Sequence, residues 1–228
     1  MLSKTQGIVL NYVKYRETSV IARIYTEAFG FQSFIINGIR SKKSKKGLAL
    51  LQPLTLLDMV VYYKKNKEDA IHRISEYKCL EHFSSIPFDI KKSSMALFIT
   101  ELLVKVLQEE EHHGGAYDYL HRFISKLDKT EKGFENMHLA LLVSLAQYLG
   151  FGIHSIEDLM RQDFSIASLS TKEEMFRMIL LLQEQPDQAV SSNQLRRDLL
   201  KYLIAYYQRH VEGFEGLNSI EVLNQIFS

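Results

Sequence analysis

The sequence predicts an α+β protein in which a five-stranded barrel at the N-terminal end precedes an all-helical domain. Two observations support this division. Through the first third of the chain, apolar residues recur at every second position, which is the period of a β-strand. After Pro87 they recur at every third or fourth position, which is the period of an α-helix. We therefore predict two domains, residues 1–80 and residues 81–228.

Five predicted strands make up the first domain. Each is short, rich in β-branched and aromatic residues, and bounded by polar or glycine-containing turns. Five such strands, without an internal repeat or the spacing of β-α-β units, favour a small antiparallel barrel. The strands are predicted at residues 7–13, 19–26, 32–39, 54–63 and 70–77.

The helices of the second domain are predicted from apolar stripes at helical spacing. Gly150 follows the third helix as a stop residue, and Asn193 is the predicted N-cap of the fifth. The predicted helices lie at residues 95–107, 117–127, 138–149, 172–182 and 193–210, with a short turn at 221–227.

Composition limits the class of protein. With 228 residues and 46% hydrophobic content, the chain is long enough to form a substantial core. Its single cysteine, Cys79, excludes an intramolecular disulfide and a cysteine-rich zinc site, and we expect it to be an inert packing residue. The N-terminus lacks the apolar core of a signal peptide, and no apolar run is long enough to span a membrane. We therefore expect a soluble cytoplasmic protein.

Positive charge is concentrated at one end of a nearly neutral chain. Residues 1–78 contain 14 Lys and Arg against 6 Asp and Glu, a formal charge of +8. Residues 79–228 contain 14 against 21, a formal charge of −7. Residues 40–46, Arg-Ser-Lys-Lys-Ser-Lys-Lys, place five cations in seven positions. Such a field usually faces a polyanion, most often nucleic acid, although a lysine loop that only aids solubility is the alternative.

The cations also fall where a nucleic-acid-binding barrel needs them. A five-stranded oligonucleotide-binding (OB) barrel binds through the face of strands 2 and 3 and through the loops 1–2 and 4–5. On the predicted strands, Lys14 and Arg16 fall in the first of these loops and Arg23 on strand 2. We therefore predict a nucleic-acid-binding site that comprises Arg16, Arg23, Arg40, Lys42, Lys43, Lys45, Lys46, Lys64, Lys65 and Lys67.

Aromatic residues accompany these cations. Single-strand binding without sequence preference needs charge for the phosphates and flat π surfaces for the unstacked bases. In strand 2, alternation predicts that Ile21, Arg23 and Tyr25 face away from the core. We expect most of the neighbouring tyrosines to pack within the sheet, leaving a minority as stacking surfaces. The candidates are Tyr12, Tyr15, Tyr25, Tyr62 and Tyr63.

Nothing in the sequence predicts catalysis or a cofactor. The chain contains no Gly-x-Ser-x-Gly elbow, phosphate-binding loop or dinucleotide-binding glycine pattern. Glu109 with His112 or His113 has usable spacing for a metal, but no third ligand lies nearby in sequence. We therefore predict neither a metal nor a catalytic residue, and a solvated helix end is the preferred reading of this cluster.

An ordered set of short motifs resembles the RecO family of bacterial recombination mediators. The resemblance covers residues 1 to about 65, and beyond them only the layout and Leu149-Gly150-Phe151 are similar. The motifs are Gly7-Ile8-Val9-Leu10, Tyr15-x-Glu17-x-Ser19-x-Ile21, Tyr25-Thr26 with Gly30, Gly38-Ile39-Arg40 with Lys43-Ser44, and Leu51-Gln52-Pro53-Leu54.

The resemblance implies an OB-fold barrel docked on a helical domain, and a function in DNA repair. Proteins of this family bind single- and double-stranded DNA and anneal complementary strands. They contact the acidic-hydrophobic C-terminal tail of single-strand-binding protein, and with RecR they help to load RecA. The resemblance assigns DNA binding to the basic residues after Gly38-Ile39-Arg40, and it implies action in the bacterial cytoplasm at the nucleoid.

One departure and two alternatives accompany this reading. Many family members carry a four-cysteine zinc motif after the Leu-Gly-aromatic turn, whereas residues 153–167 here contain no cysteine. One alternative function is a protein-interaction adaptor whose basic loop meets an acidic protein surface. The weaker alternative is a metal-dependent nuclease that uses residues 109–113.

Overall fold

The computed structural model describes residues 2–40, 45–63, 71–107, 114–160, 169–185 and 192–227. These residues form five strands and eight α-helices. The strands are β1 (Leu2–Tyr15), β2 (Ser19–Thr26), β3 (Gly30–Ile36), β4 (Leu56–Tyr62) and β5 (His72–Cys79). The helices are α1 (Lys45–Ala49), α2 (Ile90–Val106), α3 (Ala116–Lys129), α4 (Met137–Tyr148), α5 (Ile156–Met160), α6 (Leu169–Glu184), α7 (Asn193–His210) and α8 (Ser219–Ile226).

The strands close into a barrel in the order β1-β2-β3-β5-β4. All neighbours are antiparallel except β3 and β5, which pair in parallel through Phe34 with His72 and Ile35 with Arg73. The long strand β1 closes the barrel because it pairs with β2 along one edge and with β4 along the other. The predicted five-stranded OB barrel followed by a helical region is therefore confirmed.

Every second residue of a strand points into the barrel, and these apolar side chains fill its interior, as the alternation predicts. Val20, Ala22 and Ile24 of β2 are all fully buried in this core. The helix α1 was not predicted, because five residues are too short to show a helical period. Leu48 within this helix and Leu50 just after it pack against the barrel core.

A second row of side chains points away from the interior and is nevertheless buried. Ile8, Tyr25 and Phe31 are cross-strand neighbours in β1, β2 and β3, and each is at most 5% exposed. The ring of Tyr117 in α3 lies 6.3 Å from that of Tyr25, and α2 contacts β1. The prediction that Tyr25 faces away from the barrel core is correct, but a helix covers it.

The contacts divide the chain into two compact units, Met1–Ser125 and Lys126–Ser228. The helix α2 and most of α3 thus belong with the barrel. The boundary between residues 80 and 81 stays a prediction. Within the described residues, no helix is long and apolar enough to cross a membrane.

In the second unit, α4 packs against α6 and α7. The buried hydroxyl of Tyr207 in α7 donates to the backbone oxygen of Leu142 in α4 at 2.7 Å. Gly150 ends α4 with a φ of 85°, a conformation that favours glycine, as predicted. The predicted N-cap of α7 is wrong: Ser192, not Asn193, accepts the hydrogen bond from the Leu195 N–H, because Asn193 already belongs to the helix.

Candidate nucleic-acid interface

The β1–β2 turn and the segment that follows β3 meet at one end of the barrel because of the strand register. Tyr15 pairs with Ser19 across the turn, and Val20 pairs with Ile36 near the end of β3. We call this end, formed by residues 16–18 and 37–40, the basic rim, and it carries the exposed side chains of Arg16 and Arg40. β4 finishes at the opposite end, where Tyr62 pairs with Leu2 at the start of β1. Arg73 is exposed on the outer barrel face, where it pairs with Ile35 and Tyr62.

Two of these arginines are held together by hydrogen bonds. The Nη1 of Arg40 donates to the backbone oxygen of Arg16 at 3.3 Å, and the Arg40 N–H donates to the Thr18 oxygen at 3.0 Å. The hydroxyl of Ser19 also donates to Oδ1 of Asn37 at 3.0 Å. The start of the basic segment, residues 40–46, is thereby fixed beside the β1–β2 turn.

The β1–β2 turn itself contains a strained residue. Arg16 has a φ of 51°, in the left-handed region that non-glycine residues rarely adopt. Its guanidinium lies 5.2 Å from the centre of the Tyr15 ring, within the range of a cation–π contact. Lys14, predicted in this turn, instead lies in β1 because the strand continues to Tyr15.

Arg23 is exposed on the outer barrel face, where it pairs with Asn11 of β1 and Ser33 of β3. This agrees with its predicted outward direction.

Arg73 was not among the predicted site residues, although it is exposed beside Ile35 and Tyr62. Only the pairing of β5 with both β3 and β4 reveals its place, and a single sequence carries no signal for this pairing.

The remaining predicted cations are not described at the side-chain level. Lys42, Lys43, Lys64, Lys65 and Lys67 lie outside the described residues, and the side chains of Lys45 and Lys46 in α1 also lie outside them. Their contact with nucleic acid stays a prediction. Of the described residues that flank these segments, Arg40 belongs to the basic rim, whereas Tyr63 lies at the opposite end of the barrel.

The five candidate tyrosines divide into covered and open ones. Tyr25 is 1% exposed, and burial raises its pKa to about 12. Tyr63 stacks on Phe29 with ring centres 3.9 Å apart, and Tyr15 lies beneath Arg16. Tyr12 and Tyr62 are 39% and 44% exposed. These two are therefore the candidates available for stacking on a base.

His72 lies buried at the start of β5, where its surroundings favour the neutral ring. Burial lowers the pKa of His72, and a hydrogen bond with the backbone of Tyr62 opposes this shift. The ring lies 4.7 Å from that of Tyr63. His72 therefore packs as a neutral aromatic residue.

No metal centre is found within the described ranges, because no three His, Cys, Asp or Glu side chains are grouped to hold an ion there. The cluster at residues 109–113 lies outside those ranges.

The single cysteine, Cys79, donates from Sγ to the Glu81 oxygen at 3.0 Å. Burial raises the pKa of Cys79, which agrees with a packing role.

A second surface feature lies in the helical unit, in the groove between α7 and α8. Its volume is about 190 Å³. Leu200, Ile204 and Ile220 supply apolar lining, while Arg197 and Lys201 supply positive charge. A smaller adjoining cavity adds Arg196, Leu223 and Phe227. None of the residues that line the groove is acidic, so an acidic and partly apolar ligand would match its chemistry.

Comparison with known proteins gives consistent matches along the chain. The family model described as Recombination protein O N terminal matches residues 1–83. The model described as Recombination protein O C terminal matches residues 87–158. Proteins named DNA repair protein RecO from Bacteroides fragilis and Flavobacterium psychrophilum are 33% identical over 244 residues and 32% identical over 241 residues. Both alignments cover 100% of this chain and 100% of the relative.

Proposed function

Because the chain belongs to the RecO family of DNA repair proteins, we propose that it is a recombination mediator that binds single- and double-stranded DNA and anneals complementary strands. Like its family it is not an enzyme. Together with RecR, it would help to load RecA onto DNA coated with single-strand-binding protein, in the bacterial cytoplasm at the nucleoid.

The observation that carries this proposal is the convergence at the basic rim. The register of β1, β2 and β3 brings Arg16 and Arg40 to one end of the barrel, and the pairing of β5 with β3 places the exposed Arg73 beside Ile35 on the outer face. The lysine-rich segment that follows Arg40 begins at this rim. A polyanion laid across it would contact charges that are far apart in sequence.

Charge neutralisation gives the rim a mechanism for annealing. Two DNA strands repel each other through their phosphates, and cationic side chains that contact both strands lower this repulsion. Complementary bases then pair without any chemical step. The exposed Arg23 extends the positive surface along the outer barrel face.

Fluorescence anisotropy of a labelled single-stranded oligonucleotide, titrated across a salt series, tests DNA binding. We expect log affinity to fall linearly with log salt, with a slope of about −0.7 for each phosphate contacted. Replacing Lys42, Lys43, Lys45 and Lys46 with Ala should weaken binding and flatten the slope. The thermal midpoint should hardly change, because charged side chains of a lysine-rich loop usually contribute little to folding.

A matched control removes the same number of positive charges from the helical unit. The variant Lys126→Ala, Lys129→Ala, Lys132→Ala, Lys172→Ala should bind DNA almost as tightly as the original protein. Equal losses in both variants would show that net charge alone governs binding. Absence of binding even at low salt would favour the adaptor function, in which the basic segment meets an acidic protein.

The α7–α8 groove is our candidate for the tail of single-strand-binding protein. An acidic-hydrophobic tail needs an apolar floor and a basic edge, and Leu200, Ile204 and Lys201 supply these features. A labelled peptide with that tail chemistry should bind the full-length protein. Arg197→Ala with Lys201→Ala should weaken it, whereas Arg177→Ala, an exposed cation on α6 outside the groove, should not.

A further inference from the structure

The helix α8 is held to the helical unit by few side chains. Leu223 is its one buried residue, and Val222 is 44% exposed. Phe227, just after the helix, places its ring 6.2 Å from that of His138 and 6.4 Å from that of Phe134. Leu223 and Phe227 are four residues apart, so they share one face of the helix. Because an isolated helix of eight residues is marginal in water, α8 depends on this short apolar stripe.

The turn that joins α7 to α8 is anchored almost to the start of α8. Phe214 packs on Tyr207 of α7 with ring centres 5.9 Å apart, and Leu217 is buried. The next residue, Asn218, is exposed. A change of the backbone angles at Asn218 would therefore move α8 and leave α7 in place.

The groove between α7 and α8 is small for a peptide while α8 lies against α7. Its volume is about 190 Å³, whereas sites for ligands of drug size usually have about 300–1,000 Å³. Arg197, Leu200 and Asn224 line both this groove and the smaller cavity beside it. Moving α8 away would therefore join the two into one larger surface on α7.

The residues of α8 and of the turn before it share the chemistry of the proposed ligand. Residues 211–228 contain three glutamates and no Lys, Arg or His, and Ile226 and Phe227 add apolar side chains. The opposing face of α7 is basic and apolar. Its cations at the groove and the smaller cavity are Arg196, Arg197 and Lys201. An acidic and apolar segment thus already lies on the surface that we assign to an acidic and apolar ligand.

We propose that α8 is an internal competitor for the peptide-binding face of α7, which it covers in the free protein and leaves when an acidic, apolar peptide binds. The inference rests on the proposed tail-binding groove and adds a regulation to it. Because the peptide binds only the open form, its apparent affinity is reduced to the extent that α8 stays closed. Weakening the contacts of α8 therefore strengthens peptide binding.

Anisotropy titrations of the full-length protein with a labelled synthetic peptide, several aspartates followed by apolar residues, test the sign of this effect. Leu223→Ala removes the one buried side chain of α8, and we expect this variant to bind the peptide at least about fivefold more tightly. If α8 were a fixed wall of the site, the same change would weaken binding. Val222→Ala, which changes an exposed residue of the same helix, should bind as the original does.

Two combined variants show which surface the weakened helix uncovers. Adding Arg197→Ala and Lys201→Ala to Leu223→Ala should abolish the gain in affinity, since the peptide needs the basic face of α7. Adding Arg177→Ala instead should keep the gain, because Arg177 lies on α6 outside the groove. A gain that survives the loss of both groove cations would mean that the peptide binds elsewhere, and it would overturn the inference.

Hydrogen exchange of the original protein gives a direct readout that needs no variant. With saturating peptide, the amides of α8 should exchange faster than in the free protein, because the displaced helix loses the contacts that protect it. The amides of α4 in the same unit should exchange at an unchanged rate. Slower exchange of α8 on binding would mean that the peptide packs against this helix, which contradicts competition.

The outcomes separate the competitor role from the groove itself. Peptide binding that is weaker or unchanged in Leu223→Ala, or slower exchange of α8, overturns the competitor role and leaves the groove as the peptide site. Absence of peptide binding by both the original protein and Leu223→Ala refutes the groove and the competitor together. The DNA-binding function is measured in separate titrations and does not depend on either result.

Discussion

The guanidinium of Arg40 donates a hydrogen bond to the backbone oxygen of Arg16, at 3.3 Å, although the two residues are 24 positions apart. This bond joins the segment that follows β3 to the β1–β2 turn. It fixes the Arg40 guanidinium against the backbone of the turn that carries Arg16 and Glu17. The two arginines therefore belong to one surface although they are far apart in sequence.

Backbone strain at Arg16 can be separated from its charge. Arg16→Gly relieves the left-handed φ of 51°, whereas Arg16→Ala keeps that strain and removes the same charge. We expect the glycine variant to be more stable than the alanine variant by about 0.5–1 kcal/mol, because glycine adopts this conformation without a Cβ clash but loses more chain entropy.

Urea unfolding of the two Arg16 variants measures this difference, and DNA anisotropy supplies the second readout. Both variants should lose DNA affinity to the same extent. A glycine variant that is less stable than the alanine variant would show that the turn does not strain its residue.

The close approach at Gly7 should not tolerate a methyl group. A Cβ on Gly7 would lie 2.5 Å from Cγ2 of Ile24 and 2.6 Å from Cε of Met59, both in the barrel core. The Met59 side chain can move, but the β-branched Ile24 is held by its strand. Gly7→Ala should therefore lower the free energy of unfolding by about 1–3 kcal/mol.

Gly114→Ala is the matched control for Gly7→Ala, since no atom of a described residue lies within 4 Å of a Cβ at that position. Its free energy of unfolding should differ from the original by less than about 0.5 kcal/mol. Similar unfolding midpoints for the two variants in urea would contradict the tight packing at Gly7.

The hydrogen bond between α7 and α4 should contribute measurably to the stability of the helical unit. Tyr207→Phe removes the hydroxyl that donates to the Leu142 oxygen at 2.7 Å in a buried site, and should cost about 1 kcal/mol. Tyr206→Phe removes a half-buried hydroxyl that donates to the Phe151 oxygen, and should cost less. Urea unfolding ranks the two, and the reverse order would contradict the burial argument.

His138 makes stability depend on pH. Burial, together with the positive charge of Arg196, lowers the pKa of His138 to about 3. The unfolded chain therefore binds a proton between pH 6.5 and pH 3 while the folded protein does not. The contribution of His138 to stability is complete above pH 6.5 and is lost as the pH falls toward 3.

His138→Gln, which cannot titrate, isolates this effect. Between pH 7 and pH 5 the free energy of unfolding of the original protein should fall by about 2 kcal/mol more than that of the variant. The reason is that the unfolded chain binds a proton at His138 in this range, whereas the folded protein does not. The measurement is the free energy of unfolding in urea at several pH values. Parallel pH profiles for the two proteins would mean that His138 titrates normally.

Periodicity in the sequence was sufficient for the fold class, for the five strands and for the long helices. The second strand was predicted at residues 19–26 and lies at Ser19–Thr26. Alternation also gave the inward set of Val20, Ala22 and Ile24, since the direction of a strand side chain depends on local backbone geometry alone. The helices α1 and α5, of five residues each, escaped because a period cannot be measured over one turn.

Contacts between distant segments were decided by the tertiary structure. Tyr25 and Tyr62 both follow strand patterns, but a ring from α3 covers Tyr25 while Tyr62 stays 44% exposed. Arg73 became a site residue only because β5 pairs in parallel with β3. The sequence by itself thus determined the strands, the long helices and the cationic end of the chain. Burial and strand pairing depend on which segments meet in space, and only the folded barrel decided them.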